Sequence, residues 1–582
     1  MCGIGGVSLK AGNVSVELLE QMNLAQIHRG PDGSGVFSHG GTGLAHVRLS
    51  IIDIEGGAQP FNNEGLHLVA NGEVYNFHAL QEALTERDVS LQSASDCEPI
   101  LHLYREHGAS VSKQLQGMYA FALFDEATET LVLARDPFGI KPLYYAETEQ
   151  GVAFASEPAV LTKVGWIEPA ANSQAWGNYF NRHYVGGRQT MFKGIERVLP
   201  GEVLVIRAGE IVERLHFPAE LPAAEASGWF GDKKSQAQEV PAMAQFDELF
   251  DESVRLHLQA DVPYAAYLSG GVDSSALVQK MSAATDELHT FTIVFESNSV
   301  ADERGNARAL TTALNASHET ISFGENDFWR FLPLMMTRMD DLTCDYASLP
   351  VLKLSELASQ HVKVVLCGEG GDEILAGYGR YRTSIWDRLR SKRFRRGGDA
   401  SHFSDLFKGD IASWREPDLS TPPGLTAIQA KQYLDIQDWL PCDLLTKLDR
   451  CTMAYGLEGR VPFLDGALAA YCFGLPDGLK IQGRTGKYLL KKWLSQAQSA
   501  INPWEKKKGF TVPVREWLEK KRDTLATRLV GHDGLVDIVH MTEFAKLFDA
   551  PFGKREGQIV FNLLCYSLWF DVHIKGQELQ KL

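Results

Sequence analysis

Residues 262–281 read VPYAAYLSGGVDSSALVQKM: an apolar run, a Ser/Gly loop and an amphipathic stretch. That order predicts a strand, a tight turn and a helix. Gly270 and Gly271 allow close backbone approach to a ligand, and Ser269, Ser274 and Ser275 add hydroxyl donors. A loop ending on a helix N-terminus also presents free N–H groups and the positive end of the helix dipole, which together make an anion site. Asp273 would repel a phosphate unless a cation lay between them, and Mg²⁺ is the natural choice. No GxxxxGK[ST] occurs, so the site is not of the Walker type.

Working outward, HTFTIVF (289–295) and VKVVLCG (362–368) alternate with helical patterns such as PVLKLSELASQ (350–360). Such alternation predicts a parallel sheet with helices on both faces. A second turn, CGEGGDEILAGYGRY (367–381), carries Glu369, Asp372 and Glu373. Alone these acids read as solvated caps. Paired with the first loop at the ends of parallel strands, they argue for a metal in a shared crevice. GRTGKYLLKK (483–492) puts Lys487 in the first turn of a helix, which is unfavourable unless an anion sits there; an exposed surface lysine is the plain alternative. TKLDRCTMAYGLEGRVPFLD (446–465) reads as a packed ion-pair network, and the pattern is mostly helical from Thr426 onward. The basic stretch RLRSKRFRRGGDASHFSD (388–405) reads as a solvated loop or as a loop near a polyanionic nucleotide.

Upstream, GLAHVRLSIID (43–53), LHLVANGEVYN (66–76), GMYAFALFD (117–125), TLVLARD (130–136) and PLYYA (142–146) read as short strands. Helices are expected at VELLEQMNLAQIHRG (16–30) and EPILHLYRE (98–106), giving a sheet-rich α+β domain, and residues 221–245 read as a linker. The 582 residues, 44% apolar and 23% charged, suit a globular chain of several domains. With 57 basic against 74 acidic side chains the net charge is −17, which disfavours nucleic acid and anionic membranes as partners. No apolar run approaches the ~18 residues needed to span a bilayer. The N-terminus lacks a signal-peptide core, and the eight cysteines show no metal spacing. A cytoplasmic protein is expected.

Cys2 follows the initiator Met. Removal of Met1 would leave a thiol (pKa ~8.5) and an α-amine (~7.7–8.0) on one residue, a nucleophile with its own proton relay. Alone that is weak evidence. Its company is stronger: RGPDGSG (29–35), Arg48 as a carboxylate clamp, Asn71 and Gly72 as oxyanion donors, and Glu73 and Asp96 as acceptors for an ammonium. In isolation Asn71–Gly72 reads as an ordinary turn.

The segments MCGI, RGPD, RLSIID, NGE-YN, SD-E and RDPFGIKPLYY resemble the glutaminase domain of class II glutamine amidotransferases. SGGVDSS, GEGGDE, LDR-x-x-M with E-x-RVPFLD, GKYLLKK and WEKKKGF-x-x-P resemble the asparagine synthetase domain. Nearly the whole chain is thus similar to the glutamine-hydrolysing asparagine synthetases. The resemblance implies an αββα N-terminal-nucleophile domain over 1–205, a connecting segment over 206–244, and a parallel-sheet α/β domain of the ATP-pyrophosphatase type over 245–582 with a helical C-terminal part. It implies glutamine hydrolysis through a Cys2 thioester, with Asn71 and Gly72 catalytic and Arg48, Leu49, Ile51, Glu73 and Asp96 holding glutamine. It places the nucleotide against Leu268, Ser269, Gly270, Gly271, Asp273, Ser274, Ser275, Ile293, Cys367 and Gly368, and Mg²⁺ on Asp273 and Asp372. Glu369 would act in acyl-adenylate chemistry and Lys487 would meet the phosphates. ATP would then adenylate the side-chain carboxylate of aspartate, or another carboxylate, and ammonia arriving by an apolar passage would displace AMP. A homodimer is compatible with all of this. Two positions depart from the pattern: Cys367 stands where many relatives have Ser, and Asp345–Tyr346 stand where some carry Arg.

Overall fold

The computed structural model describes residues 2–224, 233–285, 287–296, 304–382, 399–415, 420–497, 500–505 and 512–579. Most of the basic 388–405 stretch and most of WEKKKGF (504–510) lie outside these described residues.

The N-terminal half begins with β1 (Gly3–Leu9), β2 (Gly33–His39), β3 (Thr42–Arg48), β4 (Phe61–Asn63), β5 (Leu66–Val74) and β6 (Gly117–Asp125). It continues with β7 (Thr130–Arg135), β8 (Tyr144–Glu147), β9 (Gly151–Ala155), β10 (Glu196–Arg197), β11 (Glu202–Arg207) and β12 (Glu210–His216). They form two six-stranded sheets, ordered β10-β8-β9-β1-β3-β2 and β12-β11-β7-β6-β5-β4. Alternate residues of each strand serve opposite faces. Val69, Ala120, Ala122 and Phe124 pack against Ile4, Leu44 and Phe154 between the sheets. Leu68, Ala70 and Phe121 instead meet Phe77, Leu84 and Ile100 from the helices Phe77–Thr85 and Pro99–His107. Val7 and Ala45 face Leu19 and Met22 of the helix Val16–Ala25. The half is therefore an αββα sandwich. Its second sheet runs on to His216, so residues 206–216, read above as connecting segment, include its edge strand β12. The linker reading is shortened from the other side too, because a helix already runs from Lys233 to His257.

The C-terminal half holds β13 (Tyr264–Tyr267), β14 (His289–Phe295), β15 (Ser317–Phe323), β16 (Val364–Leu366) and β17 (Glu458–Arg460). All pairings are parallel and the order is β15-β14-β13-β16-β17. The order reverses at β13, so the crevice beyond the C-terminal ends of β13 and β16 is a topological switch point, where such sheets bind ligands. Helices then accumulate to the last long one, Lys554–His573, which packs on the N-terminal half. There Trp176 Nε1 donates to Tyr566 Oη at 3.1 Å and Tyr179 Oη to the Asn562 carbonyl at 3.0 Å. Among the described residues no helix is long and apolar enough to cross a membrane.

Burial pushes His46 and His257 down to about 3 and His573 down to about 4. The unfolded chain takes up these protons below about pH 6.5 while the folded chain does not, so the three sites contribute stability above pH 6.5 that is lost as the pH falls toward 3–4. The thermal unfolding midpoint should accordingly fall as the pH is lowered from 7 to 5, and His46→Gln should flatten that slope in scanning calorimetry.

Candidate active site

The first cluster forms where β1, β3 and β5 converge. Cys2 is buried, and its backbone N–H donates to Asn71 Oδ1 at 3.0 Å. Burial raises the thiol, with the amino terminus and the Leu49 N–H pulling the other way. The buried Asn71 Nδ2 has no partner among the described residues, and an amide donor of this kind is one that can stabilise an oxyanion. At Gly72 an added Cβ would lie 2.1 Å from the Met118 carbonyl oxygen, so only glycine fits against the neighbouring strand β6.

Glu73 is buried, and its carboxyl is raised well above the usual range by burial and by nearby Glu458, partly offset by Arg460 at 3.3 Å. Its Oε2 has no partner among the described residues, which suits an incoming ammonium. Asp96 Oδ2 accepts the Val74 N–H at 2.8 Å and ties the end of β5 to the site. Leu49 and Ile51 are buried beside Phe138 and Ile140. Arg48, expected as a carboxylate clamp, stands at the end of β3. Its guanidinium donates to the carbonyls of Ile54 at 2.9 Å, Ile52 at 3.3 Å and Asp53 at 2.5 Å, and so braces its own loop.

The second cluster occupies the switch point. Gly270 adopts a positive φ of 72°, which lets the loop fold over the start of the helix Val272–Ala284. Ser269 and Ser274 share a hydroxyl contact of 3.0 Å, and the Gly271 N–H donates to Ser269 Oγ at 3.3 Å. The Ser275 hydroxyl is buried with no partner among the described residues. A Cβ on Gly368 would sit 3.0 Å from Asp273 Cβ, and one on Gly371 2.6 Å from Asp273 Oδ1. The two turns therefore touch and face one crevice. Leu268 and Cys367, which follow β13 and β16, are buried in one core cluster, with Ile293 half-buried in β14.

Lys487, at a positive φ just before the helix Tyr488–Gln496, bridges the two turns. Its Nζ pairs with Asp273 and lies 2.6 Å from Asp372 Oδ1. Two carboxylates converging on one cation suit a hard divalent ion that completes its shell with phosphates and water, as Mg²⁺ does.

Glu369 is raised by burial, while Lys447 opposes and Asp273 and Asp345 add to the shift. Lys447 Nζ in turn pairs with Asp345 at 2.7 Å, and Asp443 accepts from Thr343 Oγ1. Asp345 thus faces a lysine from the helix Leu445–Met453.

Residues with no assigned role in the sequence lie between the clusters. Arg460 bridges Glu73 and Glu458, and Lys141 Nζ reaches the Gly459 carbonyl at 3.5 Å. Arg29 Nε donates to the Cys2 carbonyl at 3.2 Å. The sequence offered RGPD and the charged 446–465 segment as signals, but no indication that they meet. The seam between the halves is ionic at Arg460 and apolar at Leu49, Ile51, Met118, Phe138 and Ile140.

Residues 1–217 match the family described as glutamine amidotransferase domain, and residues 245–571 match asparagine synthase. The chain is 30% identical to asparagine synthetase [glutamine-hydrolyzing] 1 of Bacillus subtilis, covering 99% of this chain and 97% of that protein. It is 31% identical to a putative asparagine synthetase [glutamine-hydrolyzing] of Mycobacterium bovis, over 99% of this chain and 98% of the relative. It is also 28% identical to amidase chry2 of Gibberella zeae, over 93% of this chain and 92% of that protein.

Gly72→Ala should force β5 off β6 beside the nucleophile. Glutamine hydrolysis is expected to fall by about 100-fold or more, read as glutamate release, because ~1 Å of displacement at a reacting group has that effect.

Proposed function

The chain belongs to the asparagine synthase family and is a glutamine-dependent amidotransferase of the ligase type, and we propose that it converts aspartate to asparagine with ammonia taken from glutamine. The observation that carries this reading is the shared crevice of the two turns, bridged by Lys487, in a chain whose other half buries Cys2 beside Asn71 and Gly72.

Cys2 Sγ attacks the glutamine carboxamide, and its thiol proton passes by way of the α-amine to the departing ammonia. Asn71 Nδ2 and the Gly72 N–H stabilise the oxyanion, and water then releases glutamate from the thioester. Glu73 and Asp96 hold the ammonium of glutamine. In the other half, the Ser269–Ser275 loop and the helix it opens receive the phosphates of ATP. Asp273 and Asp372 would hold Mg²⁺, which when bound would offset negative charge on a pyrophosphate leaving group. The acceptor carboxylate attacks the α-phosphorus, pyrophosphate leaves beside Lys487, and ammonia displaces AMP from the acyl-adenylate. Glu369, with its raised pKa, accepts the proton that the attacking ammonia must lose.

A second reading keeps this chemistry and changes the acceptor. It is favoured by the Asp345–Lys447 pair, which already neutralises the cation nearest Glu369. An amino acid with a free α-carboxylate has less to bind there than an acceptor whose α-carboxylate is masked in an amide and whose reacting carboxylate remains free. The amidase relative adds weight to it.

Purified protein given glutamine, ATP, Mg²⁺ and aspartate should yield asparagine, AMP and pyrophosphate. Pyrophosphate release from an amide-masked acid with none from aspartate would decide for the second reading. Cys2→Ala should abolish glutamine-dependent synthesis yet retain synthesis from ammonium within about threefold, whereas Asp273→Ala should lower both by about 100-fold.

A further inference from the structure

Once Met1 is removed, Cys2 is a chain terminus, and termini fray unless they are tied down. One tie is the hydrogen bond from its N–H to Asn71, and the other is the one its carbonyl accepts from Arg29 Nε. Arg29 is completely buried, and its remaining donors fix its plane. Nη1 and Nη2 donate to Asp449 Oδ2 and Oδ1 at 2.8 and 2.9 Å, and Nη1 also donates to Glu157 Oε1 at 3.0 Å. A bidentate carboxylate sets the orientation of a rigid guanidinium, and therefore where its third edge points. Glu157 belongs to the N-terminal half, but it meets only one nitrogen and is shared with His28 at 3.0 Å. The fork is aimed from the other half. Asp449 lies on the helix Leu445–Met453, two residues from Lys447, which faces Glu369.

We propose that Asp449, a residue of the synthase half, is a positioning residue for glutamine hydrolysis: it aims Arg29 at the Cys2 carbonyl and so sets the thiol and amine in register with Asn71 and Gly72. The glutamine-hydrolysing centre is then complete only with the helix Leu445–Met453 docked against it. The proposal rests on the reading of Cys2 as nucleophile.

In the full-length chain, Asp449→Asn should lower kcat for glutamine hydrolysis about 10- to 100-fold. The KM for glutamine should move less than about threefold, because Glu73 and Asp96 are untouched, and synthesis from ammonium should persist. Asp449→Glu, which keeps the charge but lengthens the arm, should show the same split if the Asn variant folds poorly. Asp449 Oδ2 also accepts from Arg450 Nη1 at 2.8 Å, a contact that bears on folding; in kcat for glutamine hydrolysis, Asp449→Asn combined with Arg29→Lys should add little beyond either change alone, since both reach Cys2 through the Arg29 guanidinium. Undiminished kcat in both Asp449 variants, equal loss of hydrolysis and ammonium-dependent synthesis in both, or additivity with Arg29→Lys would overturn the proposal. If the unaltered protein released no glutamate from glutamine, the Cys2 reading would fall with it; normal hydrolysis in both Asp449 variants would refute Asp449 alone.

Discussion

Buried arginines whose counter-charges sit across the seam make the two halves one body. Arg29 meets Asp449, Arg182 meets Asp438 and Arg197 meets Asp341, while Arg460 reaches back to Glu73. Removing one partner of such a pair leaves a charge stranded in low dielectric, at a cost of about 3–5 kcal/mol. The apolar packing follows the same seam, with Leu49, Met118 and Phe138 in one cluster with Leu268, Leu366 and Met453. Neither sandwich nor parallel sheet can withdraw without exposing both kinds of surface, so the two reaction centres are held in a fixed relation.

Within that frame the electrostatics of the centres are opposite in sense. At the amino-terminal centre burial raises Cys2 and Glu73, and Arg460 supplies the compensating positive charge. At the switch point carboxylates converge on Lys487, so the crevice is poised for a ligand that brings its own charge and a counter-ion. Beside it, Glu369 and Asp345 share the one ammonium of Lys447.

What could be read from the sequence was local. The strand–loop–helix at 262–281 and the acidic turn after VKVVL are contiguous, so their chemistry and their place at strand ends follow from short-range pattern, and the touching turns accord with it. The strands of the N-terminal half are equally legible as apolar and β-branched runs between Gly, Asp and Pro, whereas their αββα layering followed from the resemblance and not from the pattern, because both faces of most strands are buried. The boundary near 205 was harder: β12 has exposed positions along its length, as edge strands do, and reads as connector. Arg48 could be placed at a strand end but not oriented, because its loop carbonyls compete with a substrate for the same donors. Arg29 and Asp449 were invisible as a pair, since their partnership spans 420 positions and no periodicity links them.

That separation also bears on how the chain is made. A ribosome adding roughly 5–20 residues per second needs roughly 20–85 s to travel the 420 positions from Arg29 to Asp449. For that interval the nascent sandwich carries a guanidinium short of its main counter-ion, and a first strand with one of its anchors unset. Final consolidation of the leading end therefore waits on the trailing one, and a messenger truncated before codon 449 would encode a chain whose Arg29 never meets its Asp449 partner.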